Sequence, residues 1–409
     1  MKFLITAIGT AGDVLPFVEL ALALKNRGHH VEFASAEAYR SLIRTAGIYF
    51  HTLYATSQPR DIYSPIQGIR VASEERLIPA LRPAYELISK LSPAEWILLS
   101  DPYSYGARLA QERDGFRLIT FVVSPFVLRS VHEMPAMPGT PMPAWAPLVY
   151  RRFVLWIGAR LWDNALSGQV NSFRKELGLT SVRDIWYGWS LSPQRVIGFF
   201  PNWFAPMQRD WPKQFVHGGF VTYNPGQELQ LPKELRNSTV PLVIFTAGSA
   251  GPAGVTFFNA AVEACRHEPW HGVLLTAEDR LPIGALPPNV TRLDYVPLGI
   301  LLRHGVGAIV HHGGLGSISI ALAHGTPQVA VPHGADQFYN AARIAQLGVG
   351  RVIQLNGPLA RDMKDAIQTC LYDASLQQKC RDLAPGATPE ASIPKICDQI
   401  ERDIAHVHC

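Results

Sequence analysis

His311 and His312 run into a glycine cluster, Gly313-Gly314-Leu315-Gly316-Ser317, and Asp336-Gln337 follows a helical stretch and a short apolar strand. These residue types suit an anion. Glycines let a backbone approach a ligand closely, and the free N–H groups of a first helical turn favour negative charge. The pattern GAIVHHGGLGSISIALAHG predicts a strand ending around His311 and a helix from near Leu315 to Gly325, which puts the cluster at the helix start. His312 and Ser317 add side-chain donors, so a diphosphate fits. Asp336 and Gln337 head a second helical stretch, where they can accept from and donate to sugar hydroxyls. A tight turn with a core histidine and a capping Asp would explain His312 alone equally well. The full series of strand, HGGLGS, helix, strand and DQ favours the ligand site.

Two carboxylates also follow apolar runs, Asp13 in GTAGD and Asp101 in WILLSDPYSYG. Each could move a proton or cap the helix that follows. A helix start should lower the pKa of Asp13, and two nearby carboxylates should raise one of the pair. No D-x-D triplet occurs, and the pairs His29-His30 and His311-His312 lack partners at a metal spacing, so no metal site is expected.

The elements that must hold these residues read as alternating strand and helix. KFLITAI is a strand, VLPFVELALALKNR a helix stopped at Gly28, and HVEFAS a second strand. The same grammar returns from residue 241 with PLVIFTAGS, GVLLTA, VTRLDYV, GAIVHHGG and PQVAVPHG. Two α/β units follow, which suits 409 residues of which 47% are hydrophobic. Between them, the Pro-, Gly- and aromatic-rich FFPNWFAPMQRDWPKQFVHGGFVTYNPGQELQLP reads as a connection beside a cleft, with the boundary at 220 to 240. HEMPAMPGTPMPAWAPLVYRRFVLWIGARLW breaks the rhythm and reads as an insertion that covers something apolar.

A net charge of +4 without a dense basic block argues against nucleic acid. The five cysteines are an odd number without CxxC spacing, which suits a reducing cytoplasm, and no 18-residue apolar run suggests a membrane span. A cytoplasmic protein is expected, with peripheral contact at the inner face of the membrane.

HHGGLGSISIALAHGTPQVAVPHGADQFYNA resembles the nucleotide-sugar signature of the family 1 glycosyltransferases of GT-B fold, and GTAGDVLPFVELALALKNRGHHV resembles their bacterial and sterol-type branch. FFPNWFAPMQRDWP and YVPLGILL look closest to the rhamnosyltransferases of rhamnolipid synthesis. The resemblance implies two Rossmann-like α/β domains facing across a cleft: an acceptor-binding domain over 1–220, a linker over 221–240 and a nucleotide-sugar domain over 241–385. A helical tail over 386–409 would pack back on the first domain. It further implies diphosphate contacts from His312, Ser317, Gly314, Gly316 and Ser249, and hexose contacts from Asp336 and Gln337, with Asn340 in the tail of the motif. Asp13 becomes the base and Asp101 its partner or an acceptor-orienting group. The anomeric carbon is inverted, without a metal or other cofactor.

Two positions depart from the plant-type pattern. Tyr295 can stack on a base but Leu298 cannot read its edge, and Ile320 stands where a Glu holds both ribose hydroxyls. The lost carboxylate favours a dTDP-sugar over a UDP-sugar. Trp145, Phe153 and Trp156, set among Arg151, Arg152 and Arg160, suit an amphiphilic acceptor or a membrane interface, although helix packing explains them equally. The expected reaction moves a hexose, L-rhamnose from dTDP-rhamnose first, onto a hydroxyl of a lipophilic acceptor such as a hydroxyacyl lipid. UDP-glucose transfer to a sterol, carotenoid or polyketide remains open, as do a noncatalytic partner protein, a dinucleotide oxidoreductase and an epimerase. With base and donor residues on different domains, closure on donor binding is also expected.

Overall fold

The computed structural model describes residues 1–55, 65–134, 142, 145–223, 232–248, 253–277, 285–294, 296–334 and 336–405. The chain forms two compact units, one of residues 1–58, 62–223 and 392–409, the other of 59–61 and 224–391.

The first unit holds a seven-stranded parallel sheet of β1 (Lys2–Thr6), β2 (His30–Ala36), β3 (Tyr49–Tyr54), β4 (Trp96–Ser100), β5 (Arg117–Val122), β6 (Arg195–Gly198) and β7 (Phe215–His217). Its order is β3-β2-β1-β4-β5-β6-β7. The strands are near-continuous apolar runs because both sheet faces are covered. Phe3, Ile5, Phe17 and Phe121 lie in the cluster on one face, and Leu4, Leu98, Leu118 and Tyr105 in that on the other. Strand β1 lies between β2 and β4, so the strand order reverses there. In open α/β sheets that switch point is where a ligand crevice forms beyond the strand ends.

The second unit repeats the scheme with β8 (Leu242–Thr246), β9 (His271–Leu275), β10 (Val290–Leu293), β11 (Ala308–His311), β12 (Gln328–Ala330) and β13 (Gly350–Val352), ordered β10-β9-β8-β11-β12-β13 and all parallel. Its reversal lies between β8 and β11, where His311 pairs with Thr246.

Two sequence readings are corrected. The aromatic run after residue 198 is no linker: Phe199, Phe200, Phe204, Trp211, Phe215 and Phe220 are buried in the first unit, because rings this large pack rather than bridge. The stretch 148–165 is no irregular insertion either. It forms part of the helix Leu148–Glu176, whose first half turns Val149, Phe153, Trp156 and Ile157 outward. Only its later turns, with Leu166, Val170 and Phe173, enter the core.

The helix Pro389–Ala405 returns to the first unit, where Ile396, Cys397, Ile400 and Ile404 join the cluster of Phe3 and Phe17. Arg27 binds Asp398 at 2.7 Å and Glu401 at 3.0 Å, and Arg195 binds Asp403 through two nitrogens at 2.7 Å. Among the described residues, no helix is long and apolar enough to cross a membrane.

Candidate functional site

The turn after β1 is built around a glycine and a carboxylate. Gly9 has φ +147°, a conformation that L side chains rarely adopt, and a Cβ there would overlap the Asp13 carboxylate. The helix starts at Ala11, earlier than its apolar spacing predicts, with Thr10 as N-cap. Asp13 therefore sits inside the first turn rather than on the loop. Its Oδ2 accepts the Thr10 N–H at 2.8 Å and the Thr10 hydroxyl at 2.9 Å. The Asp13 side chain thus closes the capping box of this helix.

Its electrostatics reverse expectation. Burial raises the Asp13 pKa above the usual carboxylate value, outweighing the two Thr10 donors and the Arg76 charge, which pull it down. The helix start does not win because removing the charged form from water costs more than those contacts return. Arg76 lies on a π-helical turn, Ser73–Leu77, a local widening that recurs at functional sites. Tyr54 closes on the same turn: its hydroxyl accepts the Gly9 N–H at 3.2 Å, and burial pushes its pKa up to about 12.

Asp101 follows β4, directly across the switch point, and is almost wholly buried. It accepts the Ile8 N–H, and the Tyr103 N–H at 3.0 Å. Desolvation, with a contribution from the Asp13 charge, holds its carboxyl well above the ordinary range. Both carboxyls are thus shifted upward by burial, Asp101 well above its ordinary value. Asp101 braces the loop that carries Gly9 through the Ile8 N–H.

In the second unit the two histidines have different jobs. His311 is buried; its Nδ1 accepts the Gly313 N–H at 2.9 Å and its Nε2 lies 3.1 Å from Gln328 Oε1. That pairing fixes the tautomer and braces Gly313 at φ +88°. Burial takes the His311 pKa down to about 4. His312 instead lies between Gly248 and Gly314, and a Cβ on either glycine would overlap its ring. Its buried Nδ1 has no partner among the described residues. Desolvation, then His311 and His333, lower its pKa to about 3, so the ring is neutral.

The helix Leu315–Ala323 begins with Gly314 as N-cap and Gly316 and Ser317 in its first turn, Gly316 exposed and Ser317 half-buried. Gln337 Oε1 accepts the N–H groups of His333 at 3.0 Å and Gly334 at 3.1 Å. Asp336 is reached by Asn340, whose amide nitrogen donates to Asp336 Oδ2 at 2.8 Å and to the Gly313 carbonyl at 3.1 Å. Asn340 thus ties the glycine turn to the Asp-Gln pair. Ser249 and Tyr295 lie outside the described residues. Ile320 packs with Leu298 against a cluster containing Val296 and Ile300, an apolar wall beside the helix start.

Sequence reasoning missed His333, whose ring centroid is 6.0 Å from that of His312 and whose buried Nε2 has no partner among the described residues. The signal was its place three residues before Asp336. It also missed Arg76 and Tyr54, for which only the folded chain supplies a signal. Trp145, Phe153 and Trp156 are not gathered into a pocket: they are 82%, 54% and 52% exposed. Among the described residues, no group of three or more His, Cys, Asp or Glu could hold a metal ion.

The Glycosyltransferase family 28 N-terminal domain matches residues 3–139, and the Erythromycin biosynthesis protein CIII-like C-terminal domain matches 270–401. Matches to two halves of one enzyme architecture, each around its own switch point, decide the matter. The chain is a glycosyltransferase of GT-B fold. This glycosyltransferase is 28% identical to O-mycaminosyltylonolide 6-deoxyallosyltransferase of Streptomyces fradiae, covering 98% of this chain and 97% of that protein. It is 25% identical to a sterol 3-beta-glucosyltransferase of Yarrowia lipolytica, covering 99% of this chain and 31% of the relative. The glycotransferase of kitacinnamycin superposes with TM-score 0.75 at 20% identity, covering 98% of each chain. The glycosyltransferase VinC, solved with dTDP, superposes with TM-score 0.70 at 19% identity, covering 99% of this glycosyltransferase and 100% of VinC.

Proposed function

We propose that this glycosyltransferase moves a hexose, L-rhamnose from dTDP-rhamnose first, onto a hydroxyl of a lipophilic acceptor such as a hydroxyacyl lipid, with inversion. The observation that carries the donor half is the unpartnered His312 Nδ1 beside the start of Leu315–Ala323. There the imidazole and the helix N–H groups face the place where negative charge grows on the departing diphosphate. The acceptor oxygen attacks the anomeric carbon as the bond to the diphosphate breaks, and the electron pair leaves with the diphosphate. The acceptor proton passes to Asp13, whose raised pKa makes it a better base than an ordinary aspartate. In this reading the helix and His312 stabilise the leaving group without a metal, so a chelator leaves turnover unchanged.

The donor preference rests on Ile320 and its apolar neighbours, which offer no carboxylate to a ribose 2′-hydroxyl. A relative that transfers 6-deoxyallose, the dTDP complex of VinC and the resemblance to the rhamnosyltransferases of rhamnolipid synthesis support the same choice. The sterol glucosyltransferases among the relatives favour a second reading, UDP-glucose transfer to a sterol or polyketide. Mass spectrometry of products from dTDP-rhamnose or UDP-glucose with a 3-hydroxyacyl lipid separates them. Rhamnosylation by the wild type alone, and not by Asp13→Asn, supports donor, acceptor and base together. Glucosylation overturns the argument from Ile320.

A further inference from the structure

Val149, Phe153, Trp156 and Arg160 recur at steps of four, three and four residues along the helix Leu148–Glu176, so they share one face, and all four are exposed. Phe153 and Trp156 stack with centroids 6.0 Å apart, and Arg160 lies over the Trp156 ring at 5.3 Å. Arg152 is exposed beside them, and no acidic residue occurs between Glu133 and Asp163. The helix start is held in place by Arg151, which donates to the carbonyls of Ala146 at 3.0 Å and Val131 at 3.2 Å. A firmly anchored helix therefore presents an apolar, aromatic and purely cationic face.

We propose that this face docks the protein onto an anionic lipid bilayer, with the first turns of the helix lying in the headgroup plane. Aromatic rings with arginines at their edge match that boundary, where rings sit at the acyl border and guanidinium groups reach phosphates. The thirteen residues from 148 to 160 span about 20 Å, enough for a surface contact and too short to cross. A second copy of the protein is a poorer occupant. A two-fold contact through this face would set Arg152 and Arg160 against the same residues of the partner, with no acidic side chain between Glu133 and Asp163 to pair them. Docking of this kind is independent of the transfer reaction.

The test is co-sedimentation of the full-length protein with vesicles of phosphatidylcholine alone, or of phosphatidylcholine mixed with phosphatidylglycerol, at low and high salt. Binding should require the anionic lipid and weaken with salt. Arg152→Glu with Arg160→Glu should weaken it at least tenfold, since each arginine near such a surface contributes about fivefold. Phe153→Glu with Trp156→Glu should abolish it. Both pairs lie on an exposed surface, so circular dichroism and dTDP binding should match the wild type. Failure of dTDP binding in every protein would count against the donor reading and leave the vesicle result standing. No binding to anionic vesicles, or binding undiminished in both variants, overturns the proposal. So does a wild-type dimer that the Phe153/Trp156 variant dissociates without any vesicle binding.

Discussion

The turn after β1 and the turn after β11 are built alike and, in the reaction proposed, do opposite chemistry. Each follows a strand at the point where its sheet reverses order, each needs a glycine at positive φ, and each puts one polar side chain where a Cβ would otherwise sit. In the first turn that side chain is Asp13 and in the second it is His312. Burial raises the carboxyl and lowers the imidazole, which are opposite moves in pKa but the same move in charge, toward neutrality. The backbone supplies the place, and in the reaction proposed the residue type decides whether a proton is taken up or a hydrogen bond is offered.

The comparison breaks most visibly at Asp13. Asp13→Asn should lower kcat by roughly 10²–10⁴-fold, while dTDP binding measured by calorimetry stays as in the wild type. His312→Ala should cost turnover about 10²–10³-fold, the scale of a lost donor to a developing charge, and should also weaken dTDP. If both variants lose dTDP binding equally, the division of labour between the turns is wrong. Asn340→Ala removes the donor shared by Gly313 and Asp336. Losing both hydrogen bonds should lower unfolding free energy by about 1–3 kcal/mol, read from urea denaturation, with dTDP affinity reduced as well.

Two smaller effects sharpen the first turn. Arg76 pulls the Asp13 pKa down, so Arg76→Met should raise it and move the acid limb of the pH–rate profile to higher pH. An unmoved limb would mean that another group controls it. For Asp101 the folded pKa lies above the unfolded one, so its contribution to stability is full below about pH 4 and is lost as pH rises through the folded value. Asp101→Asn has no such proton to lose. The wild type's stability relative to the variant, from urea midpoints across pH 4 to 8, should therefore decline as pH rises.

Much of this was legible in the sequence because it depends on local pattern. The strand, glycine and helix grammar locates both turns, and HGGLGS followed by DQ brings out His312, Asp336 and Gln337. The two-unit α/β plan follows from the same rhythm. What remained hidden depends on contacts distant in sequence. The raised pKa of Asp13 comes from its burial, and Arg76 approaches it from a helix some sixty residues later, so neither is visible in GTAGD. The separate duties of His311 and His312 turn on Gln328 and Gly248, which the histidines meet only across the sheet. Aromatic density misled in both directions: the rings after residue 198 went into the core, and those before residue 160 went outside.

The return of Pro389–Ala405 to the first unit bears on how the protein is made. The cluster around Phe3 and Phe17 lacks Ile396, Ile400 and Ile404 until nearly four hundred further residues have been joined, so the unit made earlier of the two is the later to finish its core. During synthesis the second unit can close while its predecessor waits with an open apolar groove. That interval is when chaperone capture or wrong pairing would compete with the native helix.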